Sequence, residues 1–517
     1  MTISLAATLP LAAALVAAPA APPKPTLVVL LTVDQMRADY LERFGPQFTG
    51  GLRRLMDGGM LFTNAHHDHA ITETAPGHAS LLSGRFPRST GITANAFGVE
   101  DTSMKLVAGP GPGASPARFR GTALFDWMQK ADGRSRALSV SMKDRGAILP
   151  VGRARQMVYW YAADGQFTTS RYYADSLPGW LREVNARAVP RLHEGDSWTL
   201  LLPADRYPEP DSVPYESGGR DFVFPHLLAP GPAAPSVFRF FPWMDELTVA
   251  AALAGVAATG LGAGPQTDLL AVSLSATDLI GHRYGPDSRE VHDQVLRLDR
   301  MLGTLLDSLY RMRDSTRILV VLTGDHGVQA IPELAAQRGN DRAVRVRLDE
   351  AVDSARAVIR AGQGNPNALD VESGAVFLDR AAAGKRQVGD SALAVFARVA
   401  RRTLGVQRVD RFEGLEKAPP TDVVARRWAQ MFPKDFRPAL VVTLEPGSIW
   451  GYGIVATHGS PHPDDSHVPI LFFGAPFAHG RSATFVRTVD IAPTLAQVLG
   501  VKPLEALDGV PLAEAVR

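Results

Sequence analysis

The chain contains no cysteine. Disulfides, thiolate metal sites, cysteine nucleophiles and a lipid anchor on an N-terminal cysteine are excluded together. Charge of one sign is equally scarce: 54 Lys and Arg against 53 Asp and Glu leave a net charge of +1. So balanced a chain gives no reason to expect duplex nucleic acid or an acidic membrane surface as a partner. Beyond the N-terminus no apolar run is long enough to span a bilayer. The first 23 residues hold no Lys or Arg, so the positive start usual in export signals is missing.

What is present is apolar residue, 45% of 517 positions, ample for a core. Leu5 through Ala21 is Ala-rich and apolar, with small residues at Ala18-Pro19-Ala20. It reads as a signal peptide over residues 1–20, which predicts a periplasmic or secreted protein with no membrane span in the mature chain.

Leu27 to Val33 is a continuous apolar run ending at Asp34, the pattern of a strand buried on both faces. Similar runs cover Leu269 to Leu274, ending near Asp278, and Ile318 to Leu322, ending at Asp325; His467 to Phe473 is another core strand. Ser288 to Met312 carries Val291, Val295, Leu298, Leu302, Leu305 and Leu309 at helical spacing, which completes a strand–helix–strand unit. The fold class is α/β: a central, mostly parallel sheet with helices on both faces, over residues 24–517. Stretches near 150–245, rich in Trp, Tyr and Pro, and near 345–440, with amphipathic helices at Glu350 to Arg360 and Ser391 to Arg402, break the rhythm and read as insertions forming a cap. Asp490 to Gly500 reads as a capped, structural helix.

Polar residues gather at the strand ends, the edge where open α/β sheets bind ligands. In Ile71-Thr72-Glu73-Thr74-Ala75-Pro76-Gly77-His78, a hydroxyl stands where the chain turns into a helix. Pro76 suits a first helical turn, and such a start favours anions. Asp278 and His282 are four apart, so one helical turn aims both at one point. Asp325-His326 offers two donors at a turn, and His458 lies on a Gly-softened loop before the last core strand. With Asp34 and Thr74 these are seven O and N donors, enough for two adjacent cations and suited to zinc rather than calcium. Singly, each has a plain alternative: Asp34 as the cap of a helix near Gln35, Asp325 as an Asx turn. Lys143 and Arg145 follow the strand-like Ala137 to Val140; if extended, they face the same way and converge on one anion.

In residue type, order and spacing these motifs resemble the alkaline phosphatase superfamily, in the branch that holds type I phosphodiesterases and nucleotide pyrophosphatases, and most of all the phosphate-irrepressible, PafA-like alkaline phosphatases. The resemblance covers nearly all of the chain after the signal. It implies one Zn2+ held by Asp278, His282 and His458, and a second by Asp34, Asp325 and His326, with Thr74 as the nucleophile bound to the second. It implies Asn95 as an amide donor to the phosphoryl oxygens, and Lys143 and Arg145 as the phosphate-gripping pair of monoesterases. The expected activity is that of a broad-specificity alkaline phosphatase, metal-dependent hydrolysis of small phosphate monoesters through a phosphothreonine, with no obligate protein partner.

Other candidates are set aside. His66-His67-Asp68-His69 matches no ligand position and lines the loop entering the Thr74 turn. His78 is packing or a donor to the site, as either His462 or His467 could be; Thr72 is a rival hydroxyl that the matching motif passes over. The rival activities are a phosphodiesterase or nucleotide pyrophosphatase with the same metals and a zinc-stabilised binding protein without turnover. A sulfatase is disfavoured, because Cys is absent and Thr cannot become formylglycine.

Overall fold

The computed structural model describes residues 23–451 and 453–517; the expected signal segment lies outside the described residues. Its centre is a sheet built from Leu27–Val33 (β1), Met60–His66 (β2), Ala137–Ser141 (β3), Met157–Tyr161 (β4), Phe167–Thr168 (β5), Asp268–Leu274 (β6) and Ile318–Gly324 (β7). His467–Phe473, Gly480–Ser482 and Val486–Arg487 complete it, and are β12, β13 and β14 after the four strands named below. The order is β13-β2-β12-β7-β1-β6-β3-β4-β5, with β14 also on β2. β7, β1, β6, β3 and β4 are mutually parallel, whereas β12 runs antiparallel to both its neighbours.

The continuous apolar character of β1 follows from this position. Val29, Leu31 and Val33 enter one core, with Leu298, Leu302 and Leu305 of the long helix. Val28 and Leu30 enter the core on the other face, with Ala75, Ala79 and Leu495. A strand with period-two side chains and two covered faces is apolar on both, and Thr32 is the one polar residue in this strand. The helices that matter here are Thr74–Leu81 (α1), Asp144–Ile148 (α2), Trp243–Thr259 (α3), Ala276–Tyr284 (α4) and Arg289–Met312 (α5). The Ser288 side chain caps α5 by accepting from Val291 N–H. Ile491–Leu499 is the C-terminal helix, ended by Gly500 in the left-handed region at φ 66°.

The stretch at 150–245 needs correction. Its first part does not cap the sheet but extends it, since β4 pairs with β3 and carries β5 at the edge. The run Met-Val-Tyr-Trp-Tyr at 157–161 has the β-branched and aromatic composition of a sheet strand. Residues 345–450 hold a second, antiparallel sheet of Leu369–Glu372 (β8), Ala375–Leu378 (β9), Val406–Arg411 (β10) and Leu440–Leu444 (β11), ordered β8-β9-β11-β10. Helices Asp349–Ala361 and Arg386–Ala400 pack on it, and Ile359, Val376, Phe396 and Val442 share a core separate from the main sheet's two. The turn between β8 and β9 carries Ser373, at φ 47°, back to the main body. Among the described residues no single helix is long and apolar enough to cross a membrane.

Candidate active site

Parallel pairing in register places the ends of three strands side by side. Val33 of β1 lies opposite Leu274 of β6 and Gly324 of β7, so Asp34 and Asp325, the next residues, leave the sheet together. Asp34 is fixed by its N–H to the Leu274 carbonyl, 2.9 Å. No helix begins at Gln35, so the capping alternative for Asp34 fails; Gln35 is left-handed at φ 66° and the first helix starts at Tyr40. Asp278 stands not at the strand end but in the first turn of α4, one turn before His282, with His282 Nε2 3.3 Å from Asp278 Oδ1.

Thr74 opens α1, whose eight residues are all buried. Its Oγ lies 3.2 Å from Lys143 Nζ and 3.4 Å from His326 Nε2. Gly77 permits this placement, because a Cβ there would stand 2.2 Å from the Asp325 carbonyl oxygen. Helix and strand end thus touch backbone to backbone.

The imidazoles are oriented by the main chain. Nδ1 of His282, His326 and His458 faces the carbonyls of Ala456, Gly327 and Thr72 at 2.7, 2.9 and 2.8 Å. A carbonyl only accepts, so Nδ1 carries the proton and Nε2 is left as the free donor atom. Donor atoms of Asp34, Asp325 and His326 lie within 4.8 Å of one another, as do those of Asp278, His326 and His458. His282 joins the second group through Asp278. The residues present fit divalent cations: three buried carboxylates converge, and neither Asp34 oxygen nor Asp325 Oδ2 receives a well-aligned hydrogen bond. Lys143 Nζ and His78 Nδ1 stand 2.7 and 3.1 Å from two of those oxygens without aligning to them.

The mutual field is strong. Burial, and then the charges of Asp278 and Asp325, push Asp34 well above the ordinary carboxylate range. Asp278 is held below it: burial opposes, but Lys143 and His282 outweigh burial. Asp325 is lowered likewise, burial being outweighed by His326 and His78. Burial keeps His326 well below its ordinary value, favouring the neutral ring that a metal requires.

Lys143 and Arg145 differ from expectation. The segment is not extended past Lys143: that residue is the N-cap of α2, and Arg145 is in its first turn. Asp144, an acid suited to a helix start, was the overlooked signal. Lys143 Nζ reaches Asp278 Oδ2 at 2.6 Å and Asp34 Oδ2 at 2.7 Å, while the Arg145 guanidinium lies 3.4 Å from Asp144. Asn95 Oδ1 accepts from Ala75 N–H at 2.9 Å, which places its amide at the start of α1.

Two site residues escaped sequence reasoning. Gln35 donates its N–H to Asp325 Oδ1 (3.1 Å) and its side-chain amide to Asp278 Oδ1 (2.9 Å), tying a donor at a strand end to a donor on α4. Glu73 accepts from Asn95 N–H at 2.6 Å and from the Ser373 hydroxyl. His78 does face Asp325 and also meets Ser273 Oγ at 2.8 Å. Thr72 turns away, donating to the Ser460 carbonyl. His462 and His467 bond to the carbonyls of Leu444 and Thr63 and have no bond to the donors above. In the His66–His69 tract, Asp68 pairs with Arg426 and Arg427, and His67 meets the Gly324 carbonyl.

A buried helix-start hydroxyl beside two clusters of Asp and His at the carboxyl edge of a parallel sheet defines a metal-assisted ester hydrolase. The profile of the type I phosphodiesterase / nucleotide pyrophosphatase family matches residues 28–448. The alkaline phosphatase PhoK of a Sphingomonas species is 32% identical, over 95% of this chain and 91% of its own. The alkaline phosphatase PafA of Elizabethkingia meningoseptica is 29% identical, over 96% and 95%. A crystal structure of PafA superposes with a TM-score of 0.88 at 27% identity, covering 96% of this chain and all of the other. The chain belongs to the type I phosphodiesterase / nucleotide pyrophosphatase family, among its PafA-like alkaline phosphatases.

Proposed function

We propose that the chain is an alkaline phosphatase hydrolysing phosphate monoesters by way of a phosphothreonine at Thr74. The observation that carries this reading is the Thr74 hydroxyl, buried at a helix start between Lys143 Nζ (3.2 Å) and His326 Nε2 (3.4 Å). Asp278, His282 and His458 would hold one cation, and Asp34, Asp325 and His326 the other, with Thr74 Oγ as a further ligand. The neutral Nε2 atoms and carboxylates favour zinc. Such cations, when bound, lower the pKa of a coordinated hydroxyl or water and neutralise charge on a departing oxygen.

The chain's residues do the rest. Thr74 Oγ attacks phosphorus in line, its P–O bond forming as the ester P–O bond breaks and the alcohol leaves. Water then attacks the phosphothreonine from the vacated side, releasing phosphate and restoring the hydroxyl. Asn95, with its oxygen held by Ala75 N–H, can turn its NH2 to an equatorial oxygen. Lys143, 3.2 Å from Thr74 Oγ, and Arg145 on the same short helix start add positive charge, which counts most for a monoester dianion. The apolar Leu5–Ala21 segment supports export to the periplasm or medium.

The test combines metal analysis with rates for a phosphate monoester and a matched diester. Thr74→Ala is expected to keep its metal and lose on the order of 10⁴-fold or more in monoester kcat. Surviving hydrolysis would remove Thr74 from this role, and a wild-type preference for the diester would assign the diesterase activity instead.

A further inference from the structure

A cavity of about 320 Å³ opens beside the site, sharing Lys143 and Arg145 with it and bounded by Leu279, the residue after Asp278. Its lining includes Trp160 and Tyr161 at the end of β4 and Arg239 in the turn Phe238–Phe240. A space that shares Lys143 and Arg145 with the phosphoryl grip has room for the alcohol half of a monoester. Its volume suits a small organic group.

The lining is positively charged: Lys143, Arg145 and Arg239 face it with Asp144 as the one carboxylate. Arg239 is half-buried and forms no ion pair among the described residues. Its Nε and one terminal nitrogen donate to the Ser236 carbonyl and hydroxyl at 3.0 and 3.1 Å. The second terminal nitrogen is left for another acceptor. The segment is itself anchored, because the Tyr161 hydroxyl donates to the Pro235 carbonyl at 2.7 Å. Arg145 has a buried Nε with no hydrogen-bond partner and only a long contact, 3.4 Å, to Asp144. A partly desolvated guanidinium with no carboxylate, as at Arg239, or with only a long contact to one, as at Arg145, is open to an anion, and its fork geometry matches carboxylate and phosphate.

We propose that this cavity is a leaving-group subsite selecting monoesters whose alcohol carries a second anionic group, a carboxylate or another phosphate, with Arg239 as its specificity-determining residue. The proposal rests on the monoesterase reading. Trp160, Met142 and Leu279 supply the apolar wall against which the carbon skeleton lies.

The experiment measures kcat/KM of the metal-loaded enzyme on two matched pairs, 3-phosphoglycerate against glycerol 3-phosphate, and fructose 1,6-bisphosphate against fructose 1-phosphate. Wild type should prefer the doubly anionic member of at least one pair, and which pair responds distinguishes carboxylate from phosphate. Arg239→Met should reduce that preference roughly 10- to 100-fold, the worth of a charge-assisted hydrogen bond, and leave glycerol 3-phosphate within about twofold. Arg239→Lys should restore part of it. Equal turnover within both pairs, or an equal loss on all substrates in the Met variant, overturns the proposal. Absence of all monoester hydrolysis would instead overturn the underlying activity. If the Met variant does not fold, wild-type inhibition by phosphonoacetate against methylphosphonate decides: tighter phosphonoacetate supports the subsite, and equal inhibition refutes it.

Discussion

The two sides of the pocket are built to different standards. On one side stand the donors: Asp34, Asp325 and His326 at the ends of in-register strands, Asp278 in the first turn of a packed helix, and His458 on a loop, its imidazole tied to the Thr72 carbonyl. They are locked further by Gln35 and by main-chain carbonyls on every Nδ1. On the other side Asn95 sits on a loop, held by Ala75 N–H and Glu73. Lys143 and Arg145 sit at the start of a five-residue helix, Lys143 held by Asp34 and Asp278 of the first side and Arg145 by a 3.4 Å contact to Asp144. Metal geometry tolerates little error in donor position, whereas a phosphoryl group can be gripped by flexible cations. The division of rigidity follows the division of labour.

The sharpest way to break this contrast is to remove the grip. Lys143→Ala and Arg145→Ala should each lower monoester kcat/KM by on the order of 10²-fold to 10³-fold while metal content stays at the wild-type level. Diester turnover should fall less, since a diester carries one charge fewer. Lys143→Ala that also emptied the metal site would show that the two sides are not separable. Lys143 is the residue that puts the contrast at risk. Burial opposes its charge, yet the carboxylates of Asp278 and Asp34 outweigh burial and raise its pKa above the ordinary lysine value.

A smaller effect is expected at the junction of the two sides. Glu73, beside Thr74, holds Asn95 N–H with one oxygen and the Ser373 hydroxyl of the β8–β9 turn with the other. The separate core at 345–450 is thereby joined to the helix that bears the nucleophile. Glu73→Gln presents a donor where two donors already point, and should cost about 10-fold in kcat/KM. Combined with Asn95→Ala, the losses should be clearly less than additive, because Glu73 acts through Asn95. Strict additivity would mean that Glu73 has a separate role.

The same contrast explains what was legible in the sequence. Asp34 and Asp325 were readable because each ends an apolar run, and in-register pairing turns such ends into neighbours. Asp278 and His282 were readable from helical spacing. Gln35 was not: its function depends on a left-handed backbone that nothing in its residue type announces. Lys143 and Arg145 were found as residues but misplaced as geometry, since an acid at the start of a short helix is a weak signal beside a strand-like run. Glu73 could have been found only by knowing that the turn at Ser373, three hundred positions away, folds back onto it. The hairpin β8–β9 is local, but β9 pairs with β11 far along the chain, Ala375 opposite Val441, and periodicity carries no information about that pairing.

The smallest predicted effect tests the support behind the rigid side. Glu216 is buried in a loop packed on α4, the helix that carries Asp278 and His282. Arg283 of that helix donates to Ser217 Oγ at 2.8 Å and to Asp221 at 2.7 Å. Burial, followed by the charges of Glu290 and Asp211, pushes the Glu216 carboxyl from 4.5 up to about 9, with Arg289 opposing. Between those two values the folded chain keeps a proton that the unfolded chain has released, so stability falls as pH rises through this window. Below the lower value both states are protonated and nothing is lost; above the upper one the full cost of a buried, Oε2-unpartnered carboxylate is present. Glu216→Gln removes the titration with little change of shape. Its melting temperature should match wild type near pH 4.5 and exceed it by a growing margin toward pH 9.5, while monoester kcat/KM at a fixed pH stays the same. A margin that does not widen with pH would show that Glu216 is not a buried, proton-holding carboxyl. A changed kcat/KM would show that the donors on α4 are less firmly held than the contrast requires.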